Sequence, residues 1–397
     1  MSFKQVSMAV LLGAWLVQGL AQAPVTLADA VESAWRRTAQ STEVAGQARR
    51  AAAERSAASA LWAAPPALEV GVTRDRQRAN GTTRETEVGV AIPLWLPGQR
   101  GARLAQVGAE VEAAAATAVA TRLRVAGTVR EAAAEVALQR AELAAAEAQS
   151  RELDAIAKDV ERRVAAGDLA RADALQANAE RLAALTALAQ ARQGLQAAQL
   201  RWQALTGLKD VPGMAGDSGA AEGEHPALRA AALHLEVARQ RLNVARASHR
   251  DAPELVVRAR QEVASGEPNT HGVGLAIRVP FGTAGRNEPL MAAALSEVDL
   301  AESTERELRQ QLEAEVTTAR QGHETARQQL RDETQRAQLL RERASLIEKS
   351  FKAGETPLPE LLRAVTAASQ AEASAAKAQA ALAQAVSRLQ QALGVMP

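Results

Sequence analysis

The chain makes the same turn twice at a fixed separation. VAAGDLARADALQA (164–177) and FKAGETPLPELLRA (351–364) each place a Gly at a break between long Ala-rich helical runs, with a Leu eight positions later. Gly354 follows Gly167 by 187 residues. The same offset relates Pro66 to Pro253, Pro93 to Pro280, Gly98 to Gly285, and Gly207 to Gly394. One offset held over about 140 residues predicts a tandem duplication.

The repeat and the sequence around it divide the chain into four predicted segments. Residues 1–23 have the features of a signal peptide: a Lys, a short apolar run and small residues, with cleavage after Ala21 or Ala23. An uncleaved anchor is the alternative, but the apolar run is shorter than the ~20 residues of a spanning helix. Residues 24–207 form a first repeat, the Gly-rich and acidic residues 208–224 a linker, and residues 225–397 a second repeat.

Each repeat predicts a helix, two short strands, a very long helix and a further helix. In the first repeat we expect a helix over 43–63 and strands over 67–74 and 86–94, because apolar and polar residues alternate in both strands. The second repeat alternates in the same way. The apolar positions are Leu68, Val70, Val72, Val88, Val90, Ile92, Leu94, Leu255, Val257, Val273, Leu275, Ile277 and Val279. The polar segments 75–83 and 261–271 are predicted to be the turns between strands.

Two helices of unusual length are predicted over 98–166 and 289–353. At 1.5 Å per residue, each would be about 100 Å long. Leu340, Ala344, Ile347 and Phe351 are separated by four, three and four residues, which is coiled-coil spacing. Aromatic residues make up only 2% of the chain, which favours helices packed along their lengths over a compact core.

The composition excludes several kinds of function. The net charge of +1 argues against nucleic-acid binding, and the absence of Cys excludes disulfides and thiolate chemistry. The five His are scattered and are interpreted as surface or loop residues: His225, His234, His249, His271 and His323. We find no catalytic constellation, no metal site and no cofactor motif, so the chain is predicted not to be an enzyme.

The number of strands constrains the architecture. Strands of this length suit a membrane barrel, but four strands cannot close one, because known membrane barrels begin at about eight. An open sheet cannot lie in lipid with its edge groups unpaired. Copies of the chain must therefore share a barrel, or the protein is not a membrane protein. Three copies would supply twelve strands, and the long helices would form a coiled-coil tube on the periplasmic side.

The sequence resembles the TolC-like outer membrane efflux proteins over nearly the whole mature chain. The resemblance rests on the duplicated plan, on the turns 166–180 and 353–367, and on the helix ends RWQALTG and RLQQALG. Residues 278–302 and the compact second half are most similar to the heavy-metal cation (CzcC-like) branch.

This resemblance implies a mostly α fold with a small β part. A homotrimer would place a twelve-stranded β-barrel in outer membrane lipid above a long antiparallel coiled-coil α-barrel in the periplasm. The partners implied are a periplasmic membrane-fusion adaptor and an inner membrane pump of the resistance-nodulation-division (RND) type. The function implied is passive conduction of a substrate, here divalent heavy-metal cations, through an exit duct.

The resemblance also assigns roles at the two turns. By the family's pattern, the adaptor-contact residues are Gly167, Leu169, Arg171, Leu175, Gly354, Leu358 and Leu361. Our hypothesis for the channel constriction is the acidic set Asp168, Asp173, Glu355 and Glu360, because carboxylates at a narrow entrance attract cations. The alternative is that these acids only favour the positive end of a helix dipole.

Two further interpretations of the whole chain stay open at this stage. Within the family, the cargo can instead be a drug or other small molecule, or a type I secretion substrate. Outside it, an exported coiled-coil scaffold or adaptor without a barrel would explain the helices, but not two strand pairs at a matched offset.

Overall fold

The computed structural model describes residues 25–77, 81–213, 223–264, 268–281 and 284–397. The predicted signal peptide (1–23) and residues 214–222 of the predicted linker lie outside this part of the chain.

Both halves contain helical, strand-pair, long-helix and helix elements in the predicted order. The elements are α1 Leu27–Arg37, α2 Ala39–Ala58, β1 Ala67–Gln77, β2 Gly81–Pro93, α3 Gln99–Ala166, α4 Arg171–Thr206, α5 Pro226–Ala247, β3 Glu254–Ala264, β4 Thr270–Arg278, α6 Ala284–Lys352 and α7 Leu358–Ala392.

The predicted helix over 43–63 is wrong at its end. α2 stops at Ala58, and the Ser59 hydroxyl donates to the Ser56 carbonyl in its last turn. α6 begins five residues before the prediction, at Ala284.

The two turns that define the repeat have the same local structure. Gly167 and Gly354 end α3 and α6 with φ of +88° and +81°, a left-handed conformation that glycine adopts without a Cβ penalty. The Asp168 N–H donates to the Arg163 carbonyl (2.9 Å), and the Glu355 N–H donates to the Ser350 carbonyl (3.0 Å). Both bonds span five residues, so the predicted duplication of the turn is confirmed.

The four strands form one antiparallel sheet in the order β1-β2-β3-β4. β2 and β3 belong to different halves, and their pairing joins the two repeats, with Val90 opposite Val257. Leu68, Val90, Val257 and Leu275 form one row across the sheet, and the neighbouring rows are also mainly apolar. We call this surface the apolar face. It is exposed in the single chain; Val273, for example, is 82% exposed.

The strands continue into segments that were predicted to be turns. Asp75 pairs with Thr83 and Gln77 with Gly81, so residues 75–77 and 81–83 belong to the hairpin β1–β2. β3 likewise runs to Ala264. The prediction failed because it depended on alternating polarity, whereas the backbone ladder continues where both faces are polar.

The two larger of the hydrophobic clusters in the described ranges pack the helices at the connector and at the tips. The connector core contains Ala30 and Val31 of α1, Val129 of α3 and Trp202 of α4. The tip core lies near Gly167 and Gly354 and combines both helical hairpins: Leu153, Ala157, Val160, Ala177 and Ala184 from α3 and α4, with Phe351, Leu358, Leu361, Leu362 and Val365 from α6 and α7. Small Ala side chains at the contacts let these long helices approach closely, which replaces the aromatic filling of a globular core.

Two further contacts fix the helices relative to each other. Arg130 of α3 is buried and donates to the Gln391 side chain (2.8 Å) and to the Val395 carbonyl (3.0 Å), after α7. Arg341 of α6 donates to Glu152 of α3 (2.8 Å) and also binds Glu372 of α7. Each arginine therefore links the two halves of the chain.

Replacing Trp202 by Ala tests the connector core. Trp202 is 0% exposed, and its indole N–H donates to the Asp210 carbonyl (3.2 Å), so it ties α4 to the segment after it. We expect Trp202→Ala to lower the free energy of unfolding by about 3–5 kcal/mol, as for other large-to-small core changes. Trp62→Ala, at a 37% exposed Trp, should cost much less. Equal shifts in chemical unfolding of the two variants would contradict this role.

His225 predicts a specific pH dependence. Its Nδ1 accepts a hydrogen bond from the Ala227 N–H (3.2 Å) at the start of α5. Burial lowers the pKa of His225 below the ordinary value of 6.5, and the Gln391 backbone and the Glu315 charge oppose this shift without cancelling it. The unfolded chain therefore takes up the proton more readily, so stability is lost as pH falls below about 6.5.

The matched variant is His225→Asn, which keeps a side-chain acceptor for the helix start but does not titrate. We expect the thermal midpoint of the wild type to fall more between pH 7.5 and pH 5 than that of the variant. Parallel falls in the two proteins would exclude a contribution from His225.

Candidate functional site

The second face of the sheet carries a network of charges, which we call the polar face. Alternation places Glu69, Glu85, Glu87, Glu254, Glu262, Arg258, Arg260 and Arg278 on it. Arg258 lies 3.8 Å from Glu69 and 3.5 Å from Glu87, measured between guanidinium nitrogen and carboxylate oxygen. Arg260 lies 2.7 Å from Glu85 and 2.8 Å from Glu262. These pairs connect three strands side by side.

A third arginine extends the network to the last strand. Arg278 of β4 lies 2.8 Å from Glu254 and 3.8 Å from Glu69. Gly89 leaves space for the side chain of Arg258, because a Cβ at this glycine would lie only 3.1 Å from the Arg258 Cγ. The network contains five carboxylates and three guanidinium groups. Asp75 alternates onto the same face, so the described residues of the polar face carry a net negative charge of three.

The sequence analysis did not predict this network. The missing information is the register between β2 and β3, which places Glu87 opposite Arg260 and Gly89 opposite Arg258. The available signal was the alternation of Glu254, Arg258, Arg260 and Glu262 within β3.

The first tip places most of its predicted residues at the surface. Gly167, Asp168 and Arg171 are exposed, and Leu169 is half-buried. Leu175 is 65% exposed on α4. Among the described residues, the Asp168 side chain has no hydrogen-bond or ion-pair partner. Its carboxylate is therefore open to solvent.

The second tip differs in a way the sequence did not reveal. Gly354 and Glu355 are exposed, but Leu358 and Leu361 are only 1% and 2% exposed and belong to the tip core. The adaptor contact predicted for these two leucines stays a prediction, although neither side chain is accessible in the single chain. They are buried because the two hairpins pack against each other, a contact that no single segment of sequence encodes.

Two of the four predicted constriction acids are held by close local partners, and a third has one long hydrogen bond. The Asp173 carboxylate accepts from the Ala170 N–H (3.1 Å), and so stabilises the start of α4. Glu360 lies 2.8 Å from Arg343 and 3.4 Å from Arg363. Both arrangements fit the alternative role at a helix N-terminus. Glu355 accepts only a long hydrogen bond from the Ser350 hydroxyl (3.4 Å).

Polar side chains around the tip core add two further contacts. The Arg163 guanidinium lies 4.9 Å from the centre of the Phe351 ring, a cation–π contact between the two hairpins. The Ser350 and Thr356 hydroxyls are 2.6 Å apart across the second turn. The tips therefore form one shared structure, so a change at one turn can reach the other.

The described ranges contain neither a metal-ligand cluster nor an apolar membrane-spanning helix. In the described ranges, no three His, Cys, Asp or Glu side chains come together as ligands for a metal ion. None of the helices in those ranges has an apolar stretch long enough to cross a bilayer.

Comparison with known proteins gives one family and several similar folds. A family model described as outer membrane efflux protein matches residues 40–208 and 218–395. The crystal structure of the outer membrane protein VceC from Vibrio cholerae is 17% identical, with a TM-score of 0.76, over 93% of this chain and 96% of that chain. The CmeC outer membrane channel of Campylobacter jejuni is 14% identical, with a TM-score of 0.73, over 99% and 93%.

A third similar structure is the open state of the MtrE outer membrane channel of Neisseria gonorrhoeae. It is 16% identical, with a TM-score of 0.73, over 93% of this chain and 89% of that chain. Among curated proteins, none matches the chain in sequence. The three structures share the fold predicted from sequence, and the family model covers most of both repeats. The chain belongs to the outer membrane efflux protein family.

Proposed function

We propose that three copies of this chain form the outer membrane exit duct of a tripartite RND-type efflux system. The observation that carries the proposal is the exposed apolar face of a four-stranded sheet whose edges, β1 and β4, have no partner strand among the described residues. Strands of 11, 13, 11 and 9 residues have the length of membrane strands. Twelve strands from three copies would pair every edge and turn the apolar face to lipid.

The helices support the same assembly. α4 packs on α3 and α6 packs on α7, which leaves leucines exposed on their other sides. Leu175 and Leu182 of α4 are seven residues apart, as are Leu339 and Leu346 of α6. This is the spacing of a coiled-coil seam. In a trimer, α4 of one subunit would meet α6 of the next and complete a tube of helices.

The polar face would then line the barrel. The net negative charge of three on its described residues becomes nine in a trimer, which favours cations over anions in the lumen. This charge, together with the likeness of residues 278–302 to the CzcC-like branch, supports divalent heavy-metal cations as the cargo. A duct needs no tight metal site, because it must release what it conducts. Drug efflux and type I secretion are the alternatives within the family.

The tips would meet a periplasmic membrane-fusion adaptor, which in turn joins the inner membrane pump. We propose direct contact at Gly167, Leu169, Arg171, Leu175 and Gly354. Leu358 and Leu361 would act indirectly, because their side chains support the shape of the tip from inside. The competing scaffold function provides no reason for an exposed apolar sheet face.

Fractionation and conductance measurements test the duct directly. We expect the protein in the outer membrane fraction, a trimer by mass measurement in detergent, and ion conductance when the trimer is inserted into planar bilayers. A periplasmic protein that stays monomeric without detergent would contradict the proposal and favour the scaffold.

Neutralising the tip acids tests the constriction. Asp168→Asn with Glu355→Gln removes the two predicted acids that are most open to solvent, and we expect the preference for K⁺ over Cl⁻ in bilayers to fall several-fold. Glu43→Gln with Glu324→Gln removes the same charge from exposed helix positions far from the tips and serves as the control. Unchanged selectivity in the tip variant would leave these acids with no role in the constriction.

A further inference from the structure

Two arginines lie opposite each other on the outer side of the sheet. Arg74 of β1 pairs with Arg84 of β2 in the antiparallel register. Strand alternation places both on the same side as Val72, Val70 and Leu68, the apolar face, and both are exposed. Directly opposed residues of antiparallel strands have their Cβ atoms about 5 Å apart. The sheet therefore holds two positive charges close together on its apolar side.

No carboxylate balances this pair from within its own row. The residue opposite Arg84 on β3 is Val263, and the preceding row contains Val72 and Thr86. The nearby acids Asp75, Glu85 and Glu262 alternate onto the polar face. Among the described residues, neither Arg74 nor Arg84 has a side-chain hydrogen bond or ion pair. Like charges directly opposite each other destabilise a strand pair, so the arrangement favours a bound anion.

The position of the pair indicates which anion it meets. From Ile92 to Arg84 is eight residues, or roughly 27 Å along the strand and about 20 Å across a bilayer at the usual tilt. The apolar band of a membrane barrel is about 25 Å tall. The arginines thus lie at the edge of this band, at the sheet end opposite the long helices. That edge is where lipid headgroups begin.

We propose that Arg74 and Arg84 bind the phosphate of a lipid headgroup in the outer leaflet of the outer membrane. The guanidinium group forms paired hydrogen bonds that match phosphate geometry, and two adjacent guanidinium groups can hold one phosphate from both sides. The proposal rests on the duct function, since only a membrane-inserted barrel turns this face to lipid. A trimer carries three such sites, each of which anchors the barrel at its outer rim.

Lipid binding by the purified full-length protein in dodecyl maltoside micelles tests the site. The probes are diphosphoryl lipid A, phosphatidylcholine and inorganic phosphate, and the readouts are thermal stabilisation and bound lipid by native mass spectrometry. We expect the wild type to prefer lipid A over phosphatidylcholine and to respond little to inorganic phosphate. Arg74→Gln with Arg84→Gln should weaken lipid A binding by roughly tenfold or more.

The control variant is Arg49→Gln with Arg306→Gln. It removes two exposed arginines that donate to helix carbonyls four residues earlier, on α2 and α6, and should bind lipid A as the wild type does. Equal lipid A binding by the Arg74/Arg84 variant, or no preference in the wild type, overturns the proposal. Equally strong binding of inorganic phosphate would identify a free anion instead of a lipid. If the protein is a trimer but shows no preference for lipid A, the lipid site is excluded and the duct function still stands. If the protein is a monomer without detergent, both the lipid site and the duct function are excluded.

Discussion

The structure depends on a four-stranded sheet with an exposed apolar face, whose edge strands β1 and β4 pair with no further strand in the described ranges. Each edge strand presents backbone N–H and C=O groups that water can satisfy and lipid cannot. The apolar face, with Leu68, Val273 and Leu275 largely exposed, is unfavourable in water and favourable in lipid. The two requirements conflict in a single chain, and the proposed ring of identical sheets would meet both. Assembly and membrane insertion are therefore the same physical event in this account.

The two halves of the duplicated chain are joined at three places in its described part. The β2–β3 pairing joins the two halves at the sheet, the Arg130 contacts join them near the connector, and the tip core joins them at the turns. Each joint uses one partner from each repeat. Displacement of either hairpin at its turn must therefore disturb the shared tip core, in which Phe351 meets both Arg163 and the leucines after Gly354. Under the proposed function, an adaptor bound at the tips would therefore act on both hairpins through this core.

Sequence reasoning was successful where the signal is local. The turns at Gly167 and Gly354 were predictable because one glycine conformation and two short-range hydrogen bonds define each of them. The failures share a cause, which is contact between distant segments. The burial of Leu358 and Leu361 follows from hairpin docking, and the charge network of Arg258 and Arg278 follows from a register across all four strands. α1 was missed although its start carries a readable capping signal, since Thr26 and Asp29 cap each other.

Disulfide scanning between the two edge strands tests the central claim most directly. The chain has no native Cys, so single pairs introduced along β1 (69–73) and β4 (271–277) report only on those edges. Because β1 and β4 lie at opposite edges of the subunit's own sheet, a bond between them requires a neighbouring subunit or a ring. The account predicts that oxidation in intact outer membranes links three chains into a covalent trimer for pairs in register. Absence of intermolecular bonds at every pair, with the protein recovered as a monomer, would contradict it.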